Sequence, residues 1–98
     1  MIYVVATLQI ELGALEPFVN AACPCIEATR AEPGCIHYDL CASVTDPERV
    51  VFVERWNSRA ALDAHLASPH MLEFKAVSKP FVKATKIEIV QSEQVEQL

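Results

Sequence analysis

Between Glu54 and His70 the chain carries a carboxylate, an indole and two imidazoles: Glu54, Trp56, His65 and His70. Side chains of these types can hold a small aromatic molecule and remove a proton from it. Glu54 and Trp56 are two residues apart, so on a strand they leave the same side of a sheet and can share a pocket, with Phe52 beside them. His65 follows Leu62 by three residues and precedes Leu66 by one, which puts it at the edge of a short helix's apolar face, where it is expected to meet Glu54. A carboxylate there would fix the imidazole tautomer and raise its pKa, leaving the second ring nitrogen to accept a proton from a phenolic hydroxyl. The same spacing also suits a plain buried polar pair beside a core tryptophan.

Other residues extend the candidate site. His70, Phe74, Val77 and Phe81 recur by steps of four, three and four, so on a helix they form one stripe that either walls an apolar cavity or packs in the core. His70 falls in a first helical turn, where the partial positive charge disfavours a protonated ring and suits a neutral hydrogen-bonding partner. In the strand around Tyr38, His37 and Asp39 point one way and Tyr38 the other, and alternation alone does not choose which set faces a cavity.

Cys23-Pro24-Cys25 has the look of a metal or redox pair, but on a helix its thiols point about 200° apart. Cys35 and Cys41 share a strand face with His37 and Asp39, too widely spread for a compact tetrahedral site. No metal site is expected, and the four cysteines are read as structural thiols that pack like small hydrophobes. With two glycines in total, the chain has no glycine-rich phosphate loop, dinucleotide fingerprint or nucleophile elbow, so no flavin or nicotinamide cofactor is expected.

The elements that must position these residues follow from hydrophobic periodicity. Residues 2–11 alternate as a first strand. Leu15 to Ala31 repeats at three- and four-residue steps as an amphipathic helix, with a kink or break expected at Pro24. Pro33-Gly34 stops it, Cys35 to Ser43 is a second strand, and Val50 to Asn57 a third, pairing antiparallel with the second. Ser58 caps a short helix to about Ala67, Ser68-Pro69 starts another that Pro80 ends, and Ala84 to Gln91 is the last strand. This order predicts a ferredoxin-like α+β sandwich: a four-stranded antiparallel sheet with helices on one face. Both alternating sets of the first strand contain large apolar residues, so the other sheet face is expected to be covered by a second copy, giving a homodimer.

The length of 98 residues is read as one domain spanning residues 1–98. Its net charge of −5, with eight Lys and Arg scattered singly, offers no footprint for nucleic acid or an anionic membrane. No apolar run approaches the roughly 20 residues of a spanning helix. Cysteines without a secretory leader point to a reducing, cytoplasmic address.

The segments Glu54-x-Trp56, His65, Ser68-Pro69-His70 and Glu32-Pro33-Gly34-Cys35 together resemble the antibiotic biosynthesis monooxygenase family, and within it the cofactor-free quinol monooxygenases. The resemblance implies a dimeric α+β barrel with a cavity between sheet and helices in each subunit, oxidising polycyclic phenols or quinols with O₂ and no cofactor. By that likeness Trp56 and Phe52 contact the ring system, Tyr38 supplies the pocket's aromatic, and His65 with Glu54 assists removal of the hydroxyl proton. Thr7 stands where the haem-degrading branch has an Asn, which disfavours haem, and Leu62 stands where some polyketide-oxidising relatives carry a Tyr. The family it resembles also includes isomerases of small hydroxyketones, for which Arg55, Arg59, Lys75 and Lys79 are the nearby cations, and members with no demonstrated activity, so a noncatalytic dimeric binding module is a further alternative.

Overall fold

The computed structural model describes residues 1–98. The chain runs β1 (Ile2–Ile10), α1 (Leu15–Arg30), β2 (Cys35–Ala42), β3 (Arg49–Trp56), α2 (Arg59–Leu66), α3 (Pro69–Ser78), a 3₁₀ turn at Lys79–Phe81, and β4 (Val82–Gln91). The strands form one antiparallel sheet in the order β2-β3-β1-β4, the ferredoxin-like α+β arrangement expected from the element order. No helix is long and apolar enough to cross a membrane.

Strand register sets rows of side chains across the helix-covered face. Tyr38, Glu54, Val4 and Ile89 form one row, and Leu40, Phe52, Ala6 and Ile87 the next. The alternate residues of β1, from Ile2 to Ile10, are buried on this face. The other face is bare, leaving Val5, Val53 and Val90 at 39%, 36% and 55% exposure.

Helix α1 buries Phe18, Ala22, Cys25 and Thr29, a stripe at steps of four, three and four. The break expected at Pro24 does not occur. Pro24 lies on the exposed side, and the carbonyl it leaves without a partner belongs to exposed Asn20, where water can satisfy it.

Two local devices shape the site. Gly34 adopts φ +85°, and a Cβ there would lie 2.6 Å from Asn57 Oδ1 and 2.7 Å from the Ala61 Cβ, so only glycine lets the Pro33-Gly34 turn sit against the start of α2. In β2 the pairing slips between Cys35 and His37, so Cys35 and Tyr38 both fall opposite residues of the inner face while Ile36 is exposed. The strict alternation expected for this strand, with Cys35 and His37 on one side, is corrected by that bulge.

Candidate active site

Ser58 caps α2, its hydroxyl accepting the Ala61 N–H at 3.1 Å. Ser68 caps α3 and also donates to the His65 carbonyl at 2.6 Å, holding the end of α2 against the start of α3. The two caps fix His65 over the row that contains Tyr38 and Glu54.

His65 is almost fully buried, and its Nδ1 lies 2.7 Å from Glu32 Oε2. Its other nitrogen, Nε2, makes no hydrogen bond within the protein. The ring lies against Trp56, with centroids 4.8 Å apart and planes tilted by 34°, and Tyr38 meets it edge-on at 5.3 Å. Trp56 Nε1–H donates to Glu54 Oε1 at 3.0 Å.

Beneath α2 and α3 is a cavity of about 530 Å³, a size suited to a small organic ligand. His65, Tyr38, Glu54, Phe52 and Phe74 line it, and its walls are mainly apolar. Burial dominates the electrostatics. It lowers the His65 pKa below the usual histidine value, outweighing the nearby Glu32 carboxylate, which pulls the other way. It pushes Glu54 up to about 6 against the opposing Trp56 hydrogen bond, and it raises Tyr38, with the Glu54 charge adding to the effect. At neutral pH the site therefore presents a neutral imidazole and a phenol that stays protonated.

Residues 1–77 match the model of the antibiotic biosynthesis monooxygenase family. The chain belongs to that family. "Putative monooxygenase Rv0793" of Mycobacterium tuberculosis is 53% identical over 51 residues, covering 52% of this chain and 50% of that protein. "Probable quinol monooxygenase YgiN" of Escherichia coli is 37% identical over 68 residues, covering 61% of this chain and 65% of that protein. The chain thus spans about half to two thirds of the length of these curated relatives. The crystal structure of a "putative antibiotic biosynthesis monooxygenase" from Deinococcus radiodurans superposes with a TM-score of 0.92 over 100% of this chain and 98% of that one; at 22% identity it speaks for the fold alone.

In this member of the antibiotic biosynthesis monooxygenase family, the structure brings some of the residues singled out from the sequence together and separates others. Tyr38, Phe52 and Glu54 from the sheet and His65 and Phe74 from α2 and α3 line the same cavity, and His37 is exposed on the other side of the sheet. Other expectations are corrected. His65 hydrogen-bonds Glu32 rather than Glu54, and its pKa moves down rather than up, because the burial of the ring exceeds the pull of its carboxylate. Trp56 is fully buried behind His65 and is not part of the cavity wall where ring contact was expected. His70 is likewise off the wall: its Nε2 comes within 3.3 Å of Glu32 Oε2 without hydrogen-bonding alignment, leaving that nitrogen buried and unpartnered. Val77 is half exposed and leaves the helical stripe.

Glu32 is the residue sequence spacing missed. Its signal was its place just before the Pro33-Gly34 turn, but it lies 33 residues from His65, too far for any local periodicity. Glu32, His65 and His70 present their ligand atoms within 4.8 Å of one another, which makes them the residues that could hold a metal ion. Two ligands around a tetrahedral ion with bonds of about 2.1 Å stand roughly 3.4 Å apart. The 2.7 Å between Nδ1 and Oε2 is a hydrogen-bond length instead.

Proposed function

We propose that this chain is a cofactor-independent monooxygenase that oxidises a quinol or polycyclic phenol with O₂. The observation that carries this reading is a neutral, buried His65 whose Nδ1 is engaged by Glu32 and whose Nε2 is left free on the wall of an apolar cavity. The names of relatives such as YgiN point the same way.

In this reading Phe52, Phe74 and Tyr38 flank the aromatic body of the substrate and keep water away. Glu32 holds Nδ1–H, so Nε2 is the basic nitrogen and takes the hydroxyl proton; the carboxylate then stabilises the imidazolium. The buried Tyr38 hydroxyl supplies a hydrogen bond without competing for the proton, and Trp56 acts as a positioning residue through its contacts with His65 and Glu54. The electron-rich anion reduces O₂. All four electrons come from the substrate: two as quinol becomes quinone and two as a ring C–H becomes C–OH. One oxygen atom leaves as water.

The bare sheet face supports a homodimer, because it leaves valines of β1, β3 and β4 in water. The function is tested by O₂ uptake with menadiol-like hydroquinones, corrected for autoxidation. His65→Ala is expected to remove about 100-fold or more of the acceleration. Turnover under argon without O₂ would favour the isomerase, and ligand protection without any turnover the binding module.

A further inference from the structure

The chain has eight Lys and Arg residues, and six of them have a partner. Arg30 pairs with Asp39, Arg49 with Asp46, Arg59 with Asp63, Lys83 with Glu48 and Lys86 with Glu88, while the Arg55 guanidinium lies over the Tyr3 ring at 5.1 Å. Lys75 and Lys79 have neither a carboxylate nor an aromatic face, and both line the cavity. Lys75 lies in the last turn of α3 and Lys79, four residues on, is its C-cap, still in helical backbone conformation, an arrangement in which like charges repel unless an anion lies between them. The negative end of the helix favours cations in its last turn. That field acts all round the helix and does not select the cavity side.

The cavity is therefore polarised along its length. Its proton-accepting end lies at the Glu54, Val4 and Ile89 row, beneath His65. Lys79 leads through the 3₁₀ turn into Val82, which pairs with Ile10, so it belongs to the opposite end, near Leu8 and Thr85. Four residues of strand separate the two rows, about 13 Å. Between them the walls are apolar.

From this placement we infer that the substrate is an aromatic acid: an apolar ring system with its reacting hydroxyl at the His65 end and a carboxylate at the other, held between Lys75 and Lys79. This deepens the proposed reaction and rests on that reading for the orientation of the hydroxyl. The ε-ammonium groups sit on flexible stems at the exposed rim, which suits them to a carboxylate that stays partly hydrated.

The test is binding rather than turnover. 6-Hydroxy-2-naphthoic acid and its methyl ester place hydroxyl and acid function at opposite ends of two fused rings, and neither needs O₂ to bind. Titration calorimetry under argon with the wild-type protein is expected to give the acid an advantage of about five- to tenfold over the ester, shrinking as salt is raised. The double variant Lys75→Gln, Lys79→Gln is expected to erase that advantage with ester affinity unchanged, which also reports that the cavity is intact. Lys83→Gln with Lys86→Gln, which removes the same charge away from the cavity, is expected to retain it. Equal affinities, an ester preference, no saturable binding of the acid, or an advantage that survives the Lys75, Lys79 double variant would each overturn the inference. An acid preference in a protein that consumes no O₂ would sink the monooxygenase reading alone, and O₂ uptake with neutral quinols but no acid preference would sink this one alone.

Discussion

Glu32 reaches His65 across 33 residues of chain, its Oε2 lying 2.7 Å from Nδ1, and so sets which face of the imidazole is free. Glutamine in its place keeps the shape and can still accept from Nδ1–H, but it removes the charge that stabilises the imidazolium. Glu32→Gln is expected to lower kcat about tenfold or more with little change in KM. Glu32 also raises the His65 pKa against burial, so its loss moves the acidic limb of the rate profile to lower pH. In the wild type that limb reports a base that must be deprotonated, with activity rising through an apparent pKa below 6.5 and level at neutral pH. A variant with an unchanged limb and unchanged kcat would show that Glu32 does not act through His65.

Glu54 carries a different signature. Its folded-state pKa is about 6 against an ordinary value of 4.5, so the folded protein holds this proton more tightly than the unfolded chain. The favourable contribution is fully present below pH 4.5 and is lost as pH rises through about 6, after which the buried charge weighs against folding. Glu54→Gln keeps an acceptor for Trp56 Nε1–H and removes that charge. It is expected to stabilise the protein by on the order of 1–2 kcal/mol at pH 8 and by nearly nothing at pH 4. Urea unfolding at the two pH values checks this, and equal effects at both would contradict it.

Gly34 links backbone conformation to the site. Any side chain there meets Asn57 and Ala61 within 2.7 Å, at a φ of +85° that L-residues avoid. Gly34→Ala is expected to cost about 2 kcal/mol or more and to displace Glu32, lowering both the unfolding midpoint and kcat. A variant as stable and active as wild type would show that the turn tolerates a Cβ.

The bare sheet face makes a separate prediction. Val53 sits at its centre, between Val5 of β1 and Asp39 of β2. Val53→Asp is expected to convert the proposed dimer to monomer in sedimentation velocity, since a short carboxylate set in an apolar contact and directly across from Asp39 meets a like charge and not a partner. A wild-type protein that sediments as a monomer would rule out the dimer directly.

Period-two and three-to-four patterning was enough to order every strand and helix of this chain, because burial of one face is a local property that each segment records in its own residues. Ser58, Ser68 and Pro69 marked two helix starts for the same reason: a cap is satisfied within a turn. The Glu54 and Trp56 partnership was legible too, as two residues on one strand face. Pro24 left a kink or a break open, and only the fold shows the helix running on unbroken with the orphaned carbonyl towards water, while the bulge that takes Ile36 off the face shared by Tyr38 and Leu40 left no mark in the alternation. The identity of the His65 partner, the withdrawal of Trp56 from the cavity wall and the convergence of His70 on Glu32 were decided only when β2, β3 and α2 came together. Those relationships depend on long-range distance and on how much water folding removes from each ring, and neither quantity is written in the spacing of residues along a chain.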